Sequence, residues 1–428
     1  MGLEVFRMGY LALKDMFWFG VVASLFGNRL SGNEIQTLHS FLGHSDYTDR
    51  TIGFFEKHSL GRMETERFGS DNLIAKHQTN LIKIKIGAAD LEDIPEKIEP
   101  GIAFSWLLLL GSTRNKPSTT PKELVARITK LLLAFSEVHV NRLAVTMFRI
   151  PQEDLPATAQ TIPLSIRTDL WLGRVSPGFL VWFCESVDLS ACSEGIGVRL
   201  FNCETKSIAC MENLGIQNLL GLYLSGLHNL ERFDYLLPGE GHSKNKLILK
   251  GVFDGLQVSI DVAATIVESA WKEVSMDMKV LQSICRAAGK GMLVAELIFL
   301  SVTDVHSLCF YTDSQQSVRA EILVIEDHTK TDLLSKAFFD SAMEWIYTKT
   351  ENVQDVYILT KDKQTEHALE ACLAADALIY IARMPGLKYL VVNDCPVQLH
   401  PKPHQPEEGW CYQDMALTPD HKPASDDK

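Results

Sequence analysis

The stretch of this chain with the clearest chemical potential runs from Ser207 to Gly239 and carries Cys210 near its beginning. The residues from Leu214 to Leu224 leave no face polar, which predicts a helix buried on all sides and ended by Ser225-Gly226. Cys210 would lie at the N-terminus of this helix, where the helix dipole stabilises a thiolate and lowers the pKa of the thiol. A free cysteine also commonly fills a hydrophobic core. Cys210 is therefore a candidate nucleophile with a simple packing role as the alternative.

Helices and strands alternate on both sides of this stretch. Thr120 to Glu123 form a capping box with Pro121 at the first helical position, which predicts the start of a helix. The pattern also predicts helices over 157–172, 332–345 and 366–374, and either a helix or a strand over 258–270. It predicts strands over 81–86, 102–110, 141–149, 179–183, 197–201, 293–302, 306–312, 318–325, 356–359 and 387–392. This alternation, without an exact repeat, indicates an α/β protein.

The sequence suggests three consecutive parts. Residues 1–270 form an N-terminal half that carries the candidate nucleophile, and residues 271–400 form a C-terminal α/β half. Residues 401–428 are rich in proline, histidine and charged side chains. We expect this tail to be partly disordered, because such a composition buries little apolar surface.

The composition restricts the classes of function. The chain has 428 residues, of which 46% are hydrophobic and 22% charged, as in an ordinary globular protein. Its net charge of −13, without any lysine- or arginine-rich run, argues against a nucleic-acid surface. The nine cysteines form no C-x-x-C pair, so no metal site is predicted, and they suit a reducing, cytoplasmic or organelle-matrix location. The apolar run from Met16 to Gly27 is too short to span a bilayer.

The order of these pieces resembles the ketoacyl synthase III branch of the thiolase superfamily. Gly2 to Leu13 is similar to the opening strand of that family, and Cys210 to Gly226 has the length of its nucleophile helix. Phe253-Asp254-Gly255 resembles its Phe-Gly-Asp-Gly-Ala motif, and Gly409 to Leu417 its terminal glycine-rich strand. The resemblance implies a layered αβαβα architecture with mixed sheets, and a homo- or heterodimer.

The resemblance also implies a reaction. Cys210 would take an acyl group from an acyl-CoA or acyl-carrier-protein thioester, which acts as a co-substrate, and no bound cofactor is expected. Cys192 competes for this role, because the residues before it match the family better. In the family a histidine and an asparagine stabilise the thioester oxyanion, and His367 and Asn393 are the corresponding candidates. Thr360-Lys361-Asp362 stands where the family has its histidine.

Two alternatives remain. Val318 to Asn393 reads strand, helix, strand, helix, strand, which also resembles a GCN5-related N-acyltransferase. The second alternative is a non-catalytic, thiolase-like paralogue that serves as a structural or heterodimer partner. An active enzyme needs a reactive cysteine within reach of a polar partner, and an inactive paralogue does not.

Overall fold

The computed structural model describes most of the chain between residues 77 and 398. The described residues are 54, 57–58, 65–67, 77–98, 102–111, 119–156, 160–192, 194–238, 244–251, 255–289, 291–309, 318–329, 336–360, 365–384, 386–398 and 416–417. They divide into two compact units. Unit 1 contains residues up to Thr205 together with Cys210–Asn218, and unit 2 contains Lys206–Ala209 and the residues from Leu219 onward. The sequence-based boundary lay later, between residues 270 and 271.

Unit 1 is built on a sheet whose strands follow one another in chain order. These strands are β1 (Thr65–Arg67), β2 (His77–Lys85), β3 (Ile102–Leu110), β4 (His139–Thr146), β6 (Ser165–Gly173) and β8 (Ile196–Phe201). The β1–β2 pair is antiparallel, and every later pair is parallel. Short strands β5 (Ile162–Pro163) and β7 (Val187–Asp188) form a second, parallel pair. Helices α1 (Pro121–Ala134) and α2 (Pro177–Ser186) connect successive strands.

Unit 2 repeats this plan. Its consecutive parallel strands are β9 (Leu219–Ser225), β11 (Lys244–Lys250), β13 (Ala270–Asp277), β14 (Leu293–Val302), β15 (Val318–Asp327), β17 (Asp355–Leu359) and β18 (Tyr389–Val392). Strands β19 (Cys395–Gln398) and β20 (Ala416–Leu417) add to β18 in antiparallel fashion, while β16 (Thr350–Glu351) pairs with β15. The short strands β10 (Arg232–Phe233) and β12 (Gln257–Val258) form a separate parallel pair. The helices are α3 (Ile260–Glu268), α4 (Met278–Ala288), α5 (His306–Cys309), α6 (Lys336–Lys349), α7 (Thr365–Leu373) and α8 (Leu378–Ile381).

The strands of unit 2 recur at a nearly constant interval. Strands β9, β11, β13, β14 and β15 begin at Leu219, Lys244, Ala270, Leu293 and Val318, at spacings of 25, 26, 23 and 25 residues. Repeat proteins also stack similar units of about 20–45 residues in chain order. The sequence contains no exact repeat because the residue types at the recurring buried positions vary, as in Trp271, Ala295 and Ala320.

These recurring residues form buried ladders across each sheet. In unit 2, the registered row Leu222, Leu247, Val274, Ile298, Leu323, Val356 and Leu390 is fully buried. In unit 1, the row Ile84, Leu109, Val145, Leu172 and Leu200 is equally buried. We call this side of each sheet the ladder face. Crossovers between parallel strands are right-handed, so strands in chain order place their connecting helices on one side of the sheet. The ladder residues are completely buried, and we therefore assign the helices to the ladder face.

Local sequence signals account for several helix starts. The Thr120 hydroxyl accepts the Glu123 N–H at 3.3 Å, while the Glu123 carboxylate accepts the Thr120 N–H at 2.9 Å. This confirms the predicted capping box. Ser176 and Ser259 cap α2 and α3 in the same manner, each accepting from the N–H three residues later. The predicted α/β class is confirmed as well, with a largely parallel sheet in each unit.

The predicted buried helix after Cys210 is wrong. Ala209–Leu214 is a short 3-10 helix, and Leu219–Ser225 is strand β9. Leu222 and Leu224 are fully buried, whereas the residue after each of them, Tyr223 and Ser225, is partly exposed. This alternation is the two-residue period of a strand. A short apolar run cannot be assigned by its hydrophobicity alone, because a strand in a covered sheet is also nearly continuous in apolar residues.

Three further element predictions are wrong, and the neighbouring residues explain why. Residues 165–173 form strand β6 rather than a helix, and 179–183 lie in helix α2 rather than a strand. Residues 306–309 form a helical turn rather than a strand. Ser176-Pro177 supplies a cap and an N1 proline that outweigh the β propensity of the aromatic residues after it.

Several predictions fall outside the described residues. These are the opening strand over Gly2 to Leu13, the motif residues Phe253 and Asp254, and most of the 401–428 tail. Within that tail, the described residues Ala416–Leu417 form β20. Among the described helices, none combines the length and hydropathy that crossing a bilayer requires.

Candidate binding surfaces

Cys210 lies in the 3-10 helix of unit 1 and is partly exposed. Its side chain is hydrogen-bonded to the thiol of Cys184, a fully buried residue of α2. This hydrogen bond, followed by burial, raises the pKa of Cys184 well above its ordinary value. A helix of six residues without the predicted burial does not supply the dipole that the sequence-based argument for a thiolate required.

Cys192 is buried, with 7% of its surface exposed. Its sulfur accepts the Ile166 N–H at 3.4 Å, and its thiol donates to the Leu164 carbonyl at 3.6 Å. Burial raises the pKa of Cys192, which favours the thiol over the thiolate. These contacts join the loop before β8 to Leu164 and to the start of strand β6.

His367 and Asn393 both belong to unit 2, whereas Cys210 and Cys192 belong to unit 1. His367 is exposed on α7. Asn393 has a positive φ of 45° after β18, and its side-chain oxygen accepts the Thr360 N–H at 2.7 Å. Its side-chain nitrogen donates to the Thr360 hydroxyl at 2.5 Å. Asn393 therefore ties the end of β18 to the end of β17, and its amide is engaged in that link.

The side of the unit 2 sheet opposite the ladder face carries charged and aromatic side chains. We call it the unit 2 charged face. Its central row runs through Tyr223, Ile248, Ser275, Phe299, Val324 and Tyr357 in strand register. One flanking row contains Lys246, Glu273, Leu297, Ile322, Asp355 and Tyr389, and the other contains Ser225, Lys250, Asp277, Ser301, Glu326 and Leu359. An aromatic and aliphatic stripe is thus bordered by charge on both sides.

Most charges on the unit 2 charged face have partners within the unit. Lys246 forms an ion pair with Glu273 on the next strand. The Lys250 ammonium lies 4.8 Å from the centre of the Phe299 ring, a cation–π distance. Glu326 pairs with His328 at 2.8 Å. Burial raises the pKa of the Asp355 carboxyl, and the nearby Lys388 ammonium opposes this shift.

The corresponding side of unit 1, the unit 1 charged face, is basic and aromatic. Its registered rows are Trp106, Arg142, Asp169 and Gly197; Lys83, Leu108, Ala144, Trp171 and Arg199; and Lys85, Leu110, Thr146, Gly173 and Phe201. Four of these side chains are cationic and one is a carboxylate. Gly173 leaves room for Phe201, since a Cβ there would lie 2.0 Å from the Phe201 ring.

A single carboxylate serves two guanidinium groups on the unit 1 charged face. Asp169 lies between Arg142, whose Nε is 3.4 Å from Oδ2, and Arg199, whose Nε is 3.2 Å from Oδ1. The Arg199 guanidinium also lies 4.7 Å from the centre of the Trp171 ring. The rings of Trp171 and Trp106 are 5.3 Å apart and tilted by 59°. Arg142, Asp169, Arg199 and the two indoles therefore form one connected cluster.

Sequence reasoning did not single out either charged face. The available signal was the alternation within each strand, such as Trp106, Leu108 and Leu110 against Leu107 and Leu109. A continuous apolar run concealed that alternation in β3. The charged partners come from other strands, so only the register of the sheet brings them together.

The described residues contain no group of three or more His, Cys, Asp or Glu side chains that could hold a metal ion. No protein-family model, curated protein or solved structure matches the chain.

Proposed function

We propose that this chain is a non-catalytic protein-binding solenoid and that the unit 2 charged face receives a partner protein. The observation that carries the proposal is the stripe of Tyr223, Ile248, Phe299 and Tyr357 bordered by charged rows. Protein interfaces concentrate aromatic side chains at their centre and polar side chains at their rim. Repeat solenoids present such extended surfaces because each strand adds one residue to every row.

The spacing of apolar residues favours a solenoid of the leucine-rich-repeat kind. That pattern places apolar residues at positions 1, 4, 6 and 11 and an asparagine or cysteine at position 9, with one strand in each repeat of about 20–29 residues. Leu387, Leu390, Val392, Cys395 and Val397 have this spacing, with Leu390 and Val392 in β18 and Cys395 and Val397 in the antiparallel strand β19.

Cys203, which follows β8, also stands at position 9 when Gly195 is taken as position 1. Its buried thiol lies 3.5 Å from the carbonyls of Leu172 and Phe201. Leu172 belongs to the preceding parallel strand, so this thiol joins one repeat to the next. Burial raises the pKa of Cys203 to about 11, which keeps the donor proton in place.

Site-specific photocrosslinking tests the proposal. A benzophenone amino acid would replace Tyr389 on the unit 2 charged face, where 58% of the side chain is exposed. Tyr347 on helix α6, with 46% exposed, provides a matched control on the helical side. In cells that express the full chain, we expect a defined crosslinked species with the Tyr389 probe and none with the Tyr347 probe. Equal crosslinking at the two sites, or none at either, would contradict the proposal.

Acyl transfer remains the alternative proposal, favoured by the partly exposed thiol of Cys210. That alternative also predicts a layered αβαβα arrangement and a dimer. The consecutive parallel strands in each unit favour a solenoid instead. Intact-mass spectrometry after incubation with a panel of acyl-CoA donors separates the two functions. A covalent acyl adduct that Cys210→Ala abolishes and Cys192→Ala preserves would support acyl transfer. Absence of an adduct from every donor supports the binding function.

A further inference from the structure

The unit 1 charged face contains three buried or partly buried donors that lack acceptors among the described residues. Lys83 is 3% exposed, yet no hydrogen bond or ion pair within the described part of the chain involves its ammonium group. The indole N–H groups of Trp106 and Trp171 are buried and have no hydrogen-bond acceptor in the same described set. Buried polar groups in folded proteins are nearly always paired, so three unpaired donors in one patch need an explanation.

The three donors belong to one contiguous surface. Lys83 is the register partner of Leu108, which lies two residues after Trp106 on β3. Leu108 is also the partner of Ala144, and Ala144 is the partner of Trp171. Trp106 and Trp171 both pack against the apolar cluster of Leu108, Leu110 and Ala144. The three residues therefore lie in neighbouring rows around one apolar cluster.

The chemistry of the missing group follows from the donors. An ammonium group and two indole N–H groups can only donate, so the occupant must supply acceptors. The surrounding rows carry Lys83, Lys85, Arg142 and Arg199 against the single carboxylate of Asp169, so the occupant should be anionic. Two tilted indole rings and Phe201 beside them offer an apolar platform for an aromatic or aliphatic side chain.

We propose that the unit 1 charged face binds an acidic, extended peptide segment of a partner protein, with a carboxylate at Lys83 and an apolar side chain against Trp106 and Trp171. This inference rests on the proposed binding function and adds the chemistry of a second surface. Strands β2, β3, β4, β6 and β8 are about 4.8 Å apart, so the patch measures about 19 Å, which about six extended residues would cross. The net charge of −13 over the whole chain favours a peptide over the dense phosphates of a nucleic acid.

Fluorescence anisotropy on the full chain tests the proposal. The probe is a fluorescein-labelled peptide of about ten residues, built from Glu and Ser with one central Phe. Matched peptides carry Gln or Lys in place of Glu, and a single-stranded RNA of similar length serves as a fourth probe. We expect the Glu peptide to bind at least tenfold more tightly than the Gln peptide, and the Lys peptide and the RNA not to bind.

Variants then assign binding to the patch. Lys83→Met and Arg199→Gln are each expected to weaken binding of the Glu peptide about tenfold, the loss of one charge-assisted contact. Lys122→Met on helix α1 removes an exposed cation that belongs to neither charged face and should leave the affinity unchanged. Lys83→Met should also raise the melting temperature, because it removes an unpaired buried charge. A weaker-binding yet more stable variant distinguishes a binding residue from a structural one.

Other outcomes overturn the proposal. Equal affinity for the Glu and Gln peptides, or full affinity in both Lys83→Met and Arg199→Gln, would show that the patch does not recognise acidic peptides. Tighter binding of the RNA would replace the peptide with a nucleic acid. Loss of binding in Lys122→Met alone would place the peptide outside the unit 1 charged face. In each case the Tyr389 crosslinking result still decides the proposed function separately.

Discussion

The two charged faces have the same strand arrangement and different electrostatics. On the unit 2 charged face, Lys246 is paired with Glu273 and Glu326 with His328. On the unit 1 charged face, Asp169 is shared by Arg142 and Arg199, while Lys83 has no acceptor within the described residues. Several charged side chains on the unit 2 charged face therefore have a partner of opposite charge. The unit 1 charged face carries more cationic side chains than carboxylates. The parallel sheet of each unit therefore sets where these side chains lie, and the residue types in its rows set the charge of each face.

Each unit also contains a buried lysine, and the two lysines differ in their hydrogen-bond acceptors. Lys244 of unit 2 is 2% exposed and donates to the carbonyls of Leu237 at 3.3 Å and Pro238 at 3.2 Å. Lys83 of unit 1 is 3% exposed and has no such acceptors among the described residues. Burial lowers the pKa of both side chains, to about 8 for Lys244. Lys244 thus links β11 to the segment before it through these two carbonyls, a link that Lys83 does not make within the described residues.

The largest expected effects come from the ladders that each unit contains. Ile298→Ala in unit 2 and Leu143→Ala in unit 1 each remove a fully buried side chain and should cost about 3 kcal/mol. Hydrogen exchange measured by mass spectrometry should show lost protection mainly in β11 to β15 for the first variant. For the second, the loss should lie mainly in β3 to β6, because repeats contact their neighbours. Equal loss of protection in both units would break the distinction between them.

Lys244 should make the stability of unit 2 depend on alkaline pH. Its pKa is about 8 in the folded state, against 10.5 in an unfolded chain. Between these values the unfolded chain binds more protons, so the free energy of unfolding should rise with pH, by on the order of 2 kcal/mol in total. Urea denaturation at pH 7.5 and pH 10, compared with Lys244→Met, measures this. A variant with the same pH slope as the natural chain would show that Lys244 is not the responsible group.

Neutralising Asp169 should affect unit 1 more than breaking the ion pair of unit 2. Asp169→Asn leaves two guanidinium groups without a carboxylate and should cost about 1–2 kcal/mol. Glu273→Gln releases a single lysine and should cost about 0.5 kcal/mol. Denaturant titrations at low and high salt would measure both variants, and added salt should reduce the difference. Similar costs for the two variants would contradict the shared-carboxylate interpretation.

The smallest difference concerns the cation–π contacts. Lys250→Met removes an ammonium group from the Phe299 ring and should cost about 0.5 kcal/mol. Arg199→Met removes both the contact with Trp171 and the ion pair with Asp169, so it should cost about twice as much. Thermal denaturation of the two variants, each measured against the natural chain, provides the comparison. A larger loss for Lys250→Met would reverse the proposed ranking of the two faces.

Part of this fold was predictable from local sequence. Thr120, Pro121 and Glu123 determine the start of α1, because capping groups lie within one turn of each other. The strands over 293–302, 318–327 and 355–359 were also predictable, since their β-branched and apolar residues lie between polar turns. The candidate binding surfaces were not predictable, because each of their rows draws one residue from each of several strands.

The sequence by itself determined the α/β class and the helix caps, which depend on residues near one another in the chain. Only the tertiary structure decided that Leu219–Ser225 is a strand, because its hydrogen-bond partners lie on β11, 25 residues later. It also decided that Cys210 meets Cys184, and that Lys83, Trp106 and Trp171 share one patch. Such contacts depend on strand register, a property of the folded sheet that no single segment specifies.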